Sequence, residues 1–176
     1  MTKKLSIIDK DIDTILVLDF GSQYTQLIAR RIRELGVYSE ILPWDISSER
    51  LKRVKPKGVI LSGGPESVTK TNTPRISNEI FALSVPILGI CYGMQTLAEQ
   101  NDGKVTTSNK KEFGYSKFSI EQDSLLFKGI NTKQIEVWMS HGDKVSSLPN
   151  NFELTGSTES AQIASMEHKE LSLIHI

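Results

Sequence analysis

The sequence predicts an α/β fold: an open, mostly parallel β-sheet with helices on both faces, and added antiparallel or mixed strands in the C-terminal part. Short apolar runs alternate with segments of helical periodicity over the first 100 or so residues. These runs are apolar throughout, which is typical of parallel strands that are covered on both faces. Beyond residue 113, strand-like segments follow one another with few helical segments between them.

The parallel part is predicted to contain four strands joined by helices. Gly36 follows the first helix in the C-cap position, where a residue without a Cβ is favoured. We expect strands at residues 14–20, 37–42, 57–62 and 85–90, with helices at residues 24–35, 48–54, 76–83 and 94–100. In the C-terminal part, we expect strands at residues 113–120 and 135–139, with turns at residues 131 and 149–150.

Length, charge and cysteine content restrict the class of protein. A chain of 176 residues is long enough for one domain with a core. Its 21 Lys and Arg residues balance 21 Asp and Glu residues, which argues against nucleic acid or an anionic membrane as a partner. No apolar run reaches the roughly 20 residues that cross a bilayer. The single cysteine excludes an internal disulfide and suits the cytoplasmic location that we expect.

The sequence favours a single domain over residues 14–170. No linker, internal repeat or low-complexity tract interrupts this range. Residues 1–13 carry charges and lack the apolar segment of a secretion signal, so we expect them to form a short leader.

The turn after the fourth predicted strand is the most informative segment. Cys91 lies at the carboxyl end of that strand, where open parallel sheets place their active sites. Gly89 and Gly93 flank it and permit the sharp strand-to-helix turn that exposes a nucleophile in hydrolases. The positive end of the following helix is expected to lower the pKa of the thiol, and the N–H of Tyr92 to stabilise an oxyanion. The alternative is a tight turn around a buried structural cysteine.

Two further polar segments follow predicted strands. Gly63, Gly64 and Pro65 form a loop whose backbone can approach a ligand closely. This loop is compatible with the second half of an oxyanion hole, with phosphate binding or with a simple turn. Ser140 and His141 follow a later strand. The imidazole suits ligand contact or general base catalysis, and equally a hydrogen bond within a polar loop.

The sequence contains no pattern for a metal or a nucleotide. Its three histidines and one cysteine do not cluster at the spacing of metal ligands. Neither of the phosphate-binding loop patterns, G-x-x-x-x-G-K-[ST] and G-x-G-x-x-G, occurs in it. We therefore expect this domain to use no metal and no cofactor.

Taken together, these segments resemble those of the class I, triad-type glutamine amidotransferases. The resemblance is carried by GICYGMQ at residues 89–95 and SGGP at residues 62–65. Further segments resemble the branch of the family that makes GMP from XMP, ATP and glutamine: DFGSQYTQ at 19–26, GPESV at 64–68, EFGY at 112–115 and WMSHGDKV at 138–145. The similarity extends from about residue 14 to residue 170.

The resemblance implies a reaction and a role for each candidate residue. Such a domain hydrolyses glutamine and passes ammonia to a C-terminal ATP-pyrophosphatase (synthetase) domain, which uses ATP and Mg²⁺ to adenylate and aminate XMP. By resemblance, Cys91 is the nucleophile that forms a glutamyl thioester, and the amides of Gly64 and Tyr92 form the oxyanion hole. A homodimer of the parent protein is also implied. The residues that match positions lining or holding the glutamine are Gly63, Pro65, Gln95, Ser140 and His141.

The general base that the family uses does not occur in this sequence. In the family it is a histidine in a later Phe-His-Pro-Glu segment, whereas this sequence reads LSLIHI at residues 171–176. We expect residues 171–176 to be a non-native tail read from a sequencing adapter, and His175 not to replace the base. We also expect negligible glutaminase activity, and an apolar sheet edge left exposed because a strand and a helix are missing.

Two other functions are compatible with parts of the sequence. A non-catalytic glutamine-binding or regulatory module retains such a fold without the triad. Another class I amidotransferase, such as the anthranilate or carbamoyl-phosphate type, shares the turn at Cys91 but not the segments at residues 19–24 and 139–143. These two segments also favour the fused two-domain form of the enzyme over the form whose two parts are separate chains.

Overall fold

The computed structural model describes residues 12–168 and 173–175. Most of the expected leader, residues 1–11, lies outside the described residues. None of the helices in the described ranges has both the length and the apolar character of a membrane span.

The described residues form four α-helices, one short 3-10 helix and nine strands. The helices are α1 (Thr25–Glu34), α2 (Ser48–Val54), α3 (Asn78–Phe81) and α4 (Tyr92–Gln100), and the 3-10 helix is Leu125–Phe127. The strands are β1 (Thr14–Asp19), β2 (Tyr38–Pro43), β3 (Gly58–Leu61), β4 (Ile87–Gly89), β5 (Lys104–Ile120), β6 (Gln134–Ser147), β7 (Phe152–Thr158), β8 (Ser165–His168) and β9 (Leu173–His175).

These nine strands form one sheet in the order β2-β1-β3-β4-β9-β8-β7-β5-β6. From β2 to β9 the neighbouring strands are parallel. From β9 to β6 they are antiparallel. The predicted fold class, a mostly parallel α/β sheet with antiparallel strands added in the C-terminal part, is confirmed.

The sequence places the first two helices correctly because their ends carry strong local signals. Gly36 adopts a φ of +81° directly after the cap of α1, as a C-cap glycine does. The side chain of Ser47 accepts a hydrogen bond of 3.3 Å from the backbone N–H of Arg50 and so caps α2.

Helix α3 is shorter than predicted. The prediction covers residues 76–83, but the helix begins after its cap, Ser77, and ends at Phe81. Ile76 is held outside the helix because its backbone N–H donates 2.9 Å to the side-chain oxygen of Gln100. At the other end, Ser84 adopts a φ of +53°, which a continuing helix does not allow.

Strands β5 and β6 are much longer than predicted. They form an antiparallel ribbon whose backbone pairing extends from Ser119 opposite Gln134 to Lys104 opposite Ser147. The added pairs are largely polar, so they show none of the hydrophobic alternation on which the prediction of strands depends. The register shifts between Thr107 and Glu112, where β5 contains extra residues.

Strand β9 corrects the expectation of an exposed sheet edge. Leu173 pairs with Ile87 of β4, while Ile174 pairs with Glu167 of β8 on its other side. The expectation that a missing strand leaves an apolar sheet edge exposed is therefore wrong in this structure, because β9 fills the place between β4 and β8. A strand of three residues that includes a leucine and a β-branched isoleucine suffices to pair with the short strand β4.

The strand order creates the crevice in which the site lies. β2 and β3 flank β1 on opposite sides, so the order reverses there, and open α/β sheets bind ligands at the carboxyl ends of strands at such a point. The loops after β1 and β3 meet at this place, because the backbone N–H of Phe20 donates 3.1 Å to the hydroxyl of Ser62. Beneath them lies the main core, which includes Leu16, Leu18, Leu61, Ile80, Tyr92 and Leu97.

Candidate active site

Cys91 occupies a strained turn between β4 and α4. It has a φ of +52° and a ψ of −110° and forms the cap of α4. A non-glycine residue with positive φ costs about 1–3 kcal/mol, which the surrounding structure must supply. Such strain clusters at functional sites. The sharp strand-to-helix turn that the sequence predicts is present, and the role of Cys91 as nucleophile stays a prediction.

The two glycines beside Cys91 are required by close packing. A Cβ on Gly93 would lie 2.4 Å from the backbone oxygen of Leu61 in the neighbouring strand. A Cβ on Gly89 would lie 2.9 Å from the backbone of Gly93 and of Met94. The turn is therefore as tight as the sequence predicts, and only glycine fits at either position.

The expected lowering of the pKa of the Cys91 thiol is wrong in this structure. Burial raises the pKa, and the negative charge of Asp143 raises it further. The backbone N–H of Tyr92 acts in the opposite direction but does not outweigh burial. The thiol is therefore the form that dominates at neutral pH, and a base is needed to generate the thiolate.

Strand β6 lies over the thiol. The Sγ of Cys91 donates to the backbone oxygen of Ser140 at 3.6 Å. Farther along the same strand, the backbone oxygen of Asp143 accepts a hydrogen bond of 3.0 Å from Nε2 of Gln95. These contacts bring the predicted residues of the turn and of β6 into one site.

The Gly-Gly-Pro loop lies against the turn. A Cβ on Gly63 would be 3.5 Å from the Cβ of Cys91, and one on Gly64 would be 2.6 Å from the backbone oxygen of Phe20. Among the hydrogen bonds of the described residues, none is donated by the backbone N–H of Gly64. This arrangement is compatible with the oxyanion role, which stays a prediction.

Tyr92 contributes to the site through its backbone and to the core through its side chain. Its ring is buried and packs 5.4 Å from the ring of Phe20, centroid to centroid. Its hydroxyl donates a hydrogen bond of 2.7 Å to the backbone oxygen of Pro74. The backbone N–H of Tyr92 forms a hydrogen bond with the sulfur of Cys91, and its role in an oxyanion hole stays a prediction.

A cavity of about 740 Å³ opens above Cys91. This volume is in the range typical of small-molecule sites. Seven of the eight predicted site residues line it, whereas the eighth, Tyr92, is not among the lining residues. The seven are Gly63, Gly64, Pro65, Cys91, Gln95, Ser140 and His141.

One wall of the cavity consists of residues that the sequence analysis did not predict as site residues. Ser22, Gln23 and Tyr24 line it, in the loop after β1. Asp19 fixes this loop by accepting hydrogen bonds from the N–H of Gly21 at 2.9 Å and from the hydroxyl of Thr25 at 2.8 Å. The signal that could have found it is that the loop directly follows an apolar predicted strand, as the loops at Gly63 and Cys91 do.

The three histidines have different positions. Within the described part of the chain, His141 is the histidine that lines the cavity. The ring of His168 packs edge-on against Phe152, with centroids 5.0 Å apart, and lines a separate depression of the surface. The backbone of His175 pairs with Gly89, while its side chain lies outside the described residues.

Metal binding is not indicated in the described ranges, where no group of three or more His, Cys, Asp or Glu side chains is arranged to hold an ion. The expectation that the domain uses no cofactor stays a prediction.

Comparison with known proteins defines the class. The family model of the class I glutamine amidotransferases matches residues 16–175. The chain therefore belongs to the class I glutamine amidotransferase family. A solved structure from Thermotoga maritima, described as a glutamine amidotransferase, shares the fold with a TM-score of 0.72 at 18% identity, covering 93% of this chain and 74% of that one.

Within the family, the chain is similar to proteins named GMP synthase [glutamine-hydrolyzing]. It is 52% identical over 158 residues to the protein of that name from Histophilus somni (strain 2336), covering 86% of this chain and 30% of the relative. The relative from Vibrio vulnificus (strain YJ016) is 52% identical over 156 residues, covering 89% of this chain and 30% of that protein. The chain thus spans about 30% of the length of these relatives.

A second solved structure, from Thermoplasma acidophilum, is also similar. It is described as a putative GMP synthase subunit, and it superposes with a TM-score of 0.77 at 30% identity. The superposition covers 94% of this chain and 83% of that one.

Proposed function

We propose that this chain is the glutamine-hydrolysing part of a GMP synthase, with Cys91 as its nucleophile. The single observation that carries the catalytic proposal is the strained turn that presents the Cys91 thiol to the cavity. The relatives named GMP synthase support the choice of pathway, because they are 52% identical to this chain across most of its length.

The proposed reaction proceeds through a thioester. The sulfur of Cys91, on losing its proton, attacks the carboxamide carbon of glutamine, and the C–N bond then breaks. The leaving nitrogen takes up the proton and departs as ammonia, and water later hydrolyses the thioester to glutamate and the free thiol. The N–H groups of Gly64 and Tyr92 stabilise the oxyanion that forms at each addition.

The residues on β6 and α4 hold the substrate in this proposal. Gln95, Ser140 and His141 line the cavity above the thiol, and Gly63 and Pro65 form its other side. Because burial raises the pKa of Cys91, deprotonation needs a base. The family resemblance places that base in a Phe-His-Pro-Glu segment that this sequence does not contain, so we propose negligible glutaminase turnover by the 176-residue chain alone.

The ammonia is proposed to be used by a synthetase domain of the ATP-pyrophosphatase type, which converts XMP to GMP with ATP and Mg²⁺. The relatives support this proposal because the segment matched here is about 30% of their length. A homodimer of the parent protein and a cytoplasmic location belong to the same proposal. A reducing compartment keeps a nucleophilic thiol free.

Covalent labelling tests the proposal without requiring turnover. The probe is a chloroketone analogue of L-glutamine, whose reactive carbon takes the place of the carboxamide. We expect one adduct on Cys91 by peptide mass spectrometry, and slower labelling in the presence of excess L-glutamine but not D-glutamine. Cys91→Ser is the control and should remain unlabelled. Labelling that is equally fast in urea-unfolded protein and insensitive to L-glutamine would contradict the proposal.

A further inference from the structure

The ribbon of β5 and β6 carries aromatic side chains on the face where polar ones are expected. Along β6, half-buried residues such as Val137 and Met139 alternate with exposed residues. A ribbon with one covered face normally places polar residues on its outer face. Here that outer face carries Phe113, Tyr115 and Trp138, which are 69%, 56% and 78% exposed. We call these three residues the aromatic strip.

The members of the aromatic strip lie side by side. Tyr115 and Trp138 are directly opposite each other in the antiparallel register. Phe113 is two residues from Tyr115 on the same strand, so its side chain projects from the same face. The hydroxyl of Tyr115 is fixed by donating 2.8 Å to Oε1 of Glu136. A contiguous exposed patch of large aromatic residues marks an interaction site.

The aromatic strip adjoins the mouth of the catalytic cavity. Trp138 itself lines the cavity. Ser140 follows on the same face of β6, and its backbone oxygen is 3.6 Å from the sulfur of Cys91. Whatever covers the strip therefore also sits at the opening through which a product of Cys91 chemistry leaves.

We infer that the aromatic strip is the docking surface for the ammonia-consuming synthetase part of the enzyme. This inference rests on the proposed function and names the place where the partner binds. The relatives have more than twice as much chain outside the matched segment as within it, so a large partner body is available to cover the strip. The partner face is expected to be apolar and uncharged, with recesses for three aromatic rings.

The position of the strip favours the synthetase part over a second copy of this chain. Ammonia released into neutral water becomes ammonium, which has no lone pair and is not a nucleophile, so a consumer gains by sitting at the cavity mouth. Two copies joined strip to strip would instead place two cavity mouths together, with no consumer at either. Docking of the synthetase part accounts both for the exposed aromatic strip and for its position beside the cavity mouth.

Binding of the separated parts tests this inference. The whole 176-residue chain is titrated calorimetrically with the portion of the Histophilus somni relative that lies outside the matched 158 residues. Before the titration, formation of GMP from XMP, ATP and ammonium by that portion serves as the check that it is folded. The test variant is F113S/Y115S, which removes two members of the strip that do not line the cavity. The control is L35S/Y38S, which removes an exposed leucine and tyrosine near β2, at the opposite edge of the sheet.

We expect the unaltered chain and the control to bind with dissociation constants within about twofold of each other, and the test variant to bind at least about tenfold more weakly. Equal weakening in both variants would overturn the inference, as would the absence of binding by the folded portion. A self-association in sedimentation velocity that the test variant alone abolishes would assign the strip to a second copy and overturn the choice of partner.

Chloroketone labelling of Cys91, measured in the same variants, separates this inference from the proposed function. F113S/Y115S should be labelled at the rate of the unaltered chain. If the unaltered chain binds the synthetase portion but shows no glutamine-sensitive labelling of Cys91, the catalytic proposal is refuted and the docking inference stands. If the synthetase portion does not fold by itself, the full-length relative carrying residues 14–168 of this chain replaces it. The supporting result is then that F113S/Y115S slows GMP formation from glutamine while GMP formation from ammonium keeps its rate. The contrary result is that the substitutions leave both rates unchanged or slow both equally.

Discussion

The side-chain amide of Gln95 donates a hydrogen bond of 3.0 Å to the backbone oxygen of Asp143. Both residues are buried, with 6% and 7% of their surface exposed. The bond joins α4, which follows Cys91, to β6, which lies over the thiol of Cys91. A residue that the sequence suggests for substrate binding thus also holds together the two elements that form the site.

Replacing Gln95 by leucine tests this link. The substitution preserves most of the side-chain volume but removes the donor, leaving a buried carbonyl oxygen without this partner. We expect the free energy of unfolding, measured in urea, to fall by about 1–3 kcal/mol. Gln162→Leu, at an exposed position, is the control and should change it by less than about 0.5 kcal/mol. Equal losses in the two variants would show that the hydrogen bond is not the cause.

Gly93 is predicted to tolerate no side chain. An added Cβ would lie 2.4 Å from the backbone oxygen of Leu61 and 2.6 Å from its Cβ. Strand β3 and the turn must then separate, so Gly93→Ala should lower the free energy of unfolding by about 3 kcal/mol or abolish folding. Gly142→Ala has nothing within 4 Å of its new Cβ and should unfold at the temperature of the unaltered chain. A Gly93→Ala variant with unchanged thermal unfolding would contradict the close packing seen here.

Local sequence signals were sufficient to predict the turn that carries Cys91. The strand before it is apolar, the glycines at positions 89 and 93 permit a tight turn, and helical periodicity follows. The same holds for the loop at Gly64, which also follows an apolar strand. Each of these predictions uses residues that are neighbours in the chain, and the structure confirms the elements on which they rest.

Features that depend on distant residues were not predicted. The pKa of Cys91 depends on burial, to which the strand β6, some 50 residues farther along the chain, contributes by lying over the thiol. The sequence reveals the helix N-terminus, which lowers the pKa of the thiol, but not the strand that covers the thiol. The predicted direction of the pKa shift was wrong for this reason. The polar pairs of β5 with β6 escaped prediction for a related reason, since backbone hydrogen bonds between strands leave no hydrophobic period.

Asp19 is predicted to organise the wall of the cavity formed by residues 22–24. Its carboxylate accepts hydrogen bonds from Gly21 and Thr25, at the two ends of that loop. Asp19→Ala removes both, so we expect a loss of about 1–3 kcal/mol in the free energy of unfolding. We also expect at least about threefold slower chloroketone labelling of Cys91, because the loop no longer holds its position. Asp13→Ala, at an exposed site just before β1, is the control and should affect neither measurement. Slower labelling in both variants would argue against a specific role for Asp19.

The charge of Asp143 is predicted to hold the Cys91 thiol in its protonated form. Burial is the larger cause of the raised pKa, and the carboxylate of Asp143 adds to it. The rate of alkylation by iodoacetamide follows the thiolate fraction, so its pH midpoint should lie above that of a free cysteine, which is about 8.5. Asp143→Asn removes a negative charge at nearly constant shape, which favours the thiolate, so the midpoint should move to lower pH and the rate at neutral pH should rise.

The midpoint of Asp143→Asn should still lie above that of free cysteine, because burial remains. Asp123→Asn, which alters an exposed carboxylate, should leave the midpoint in place. A midpoint that stays fixed in Asp143→Asn would show that the charge of Asp143 does not raise the pKa of the thiol, and one that rises would show that this charge lowers it.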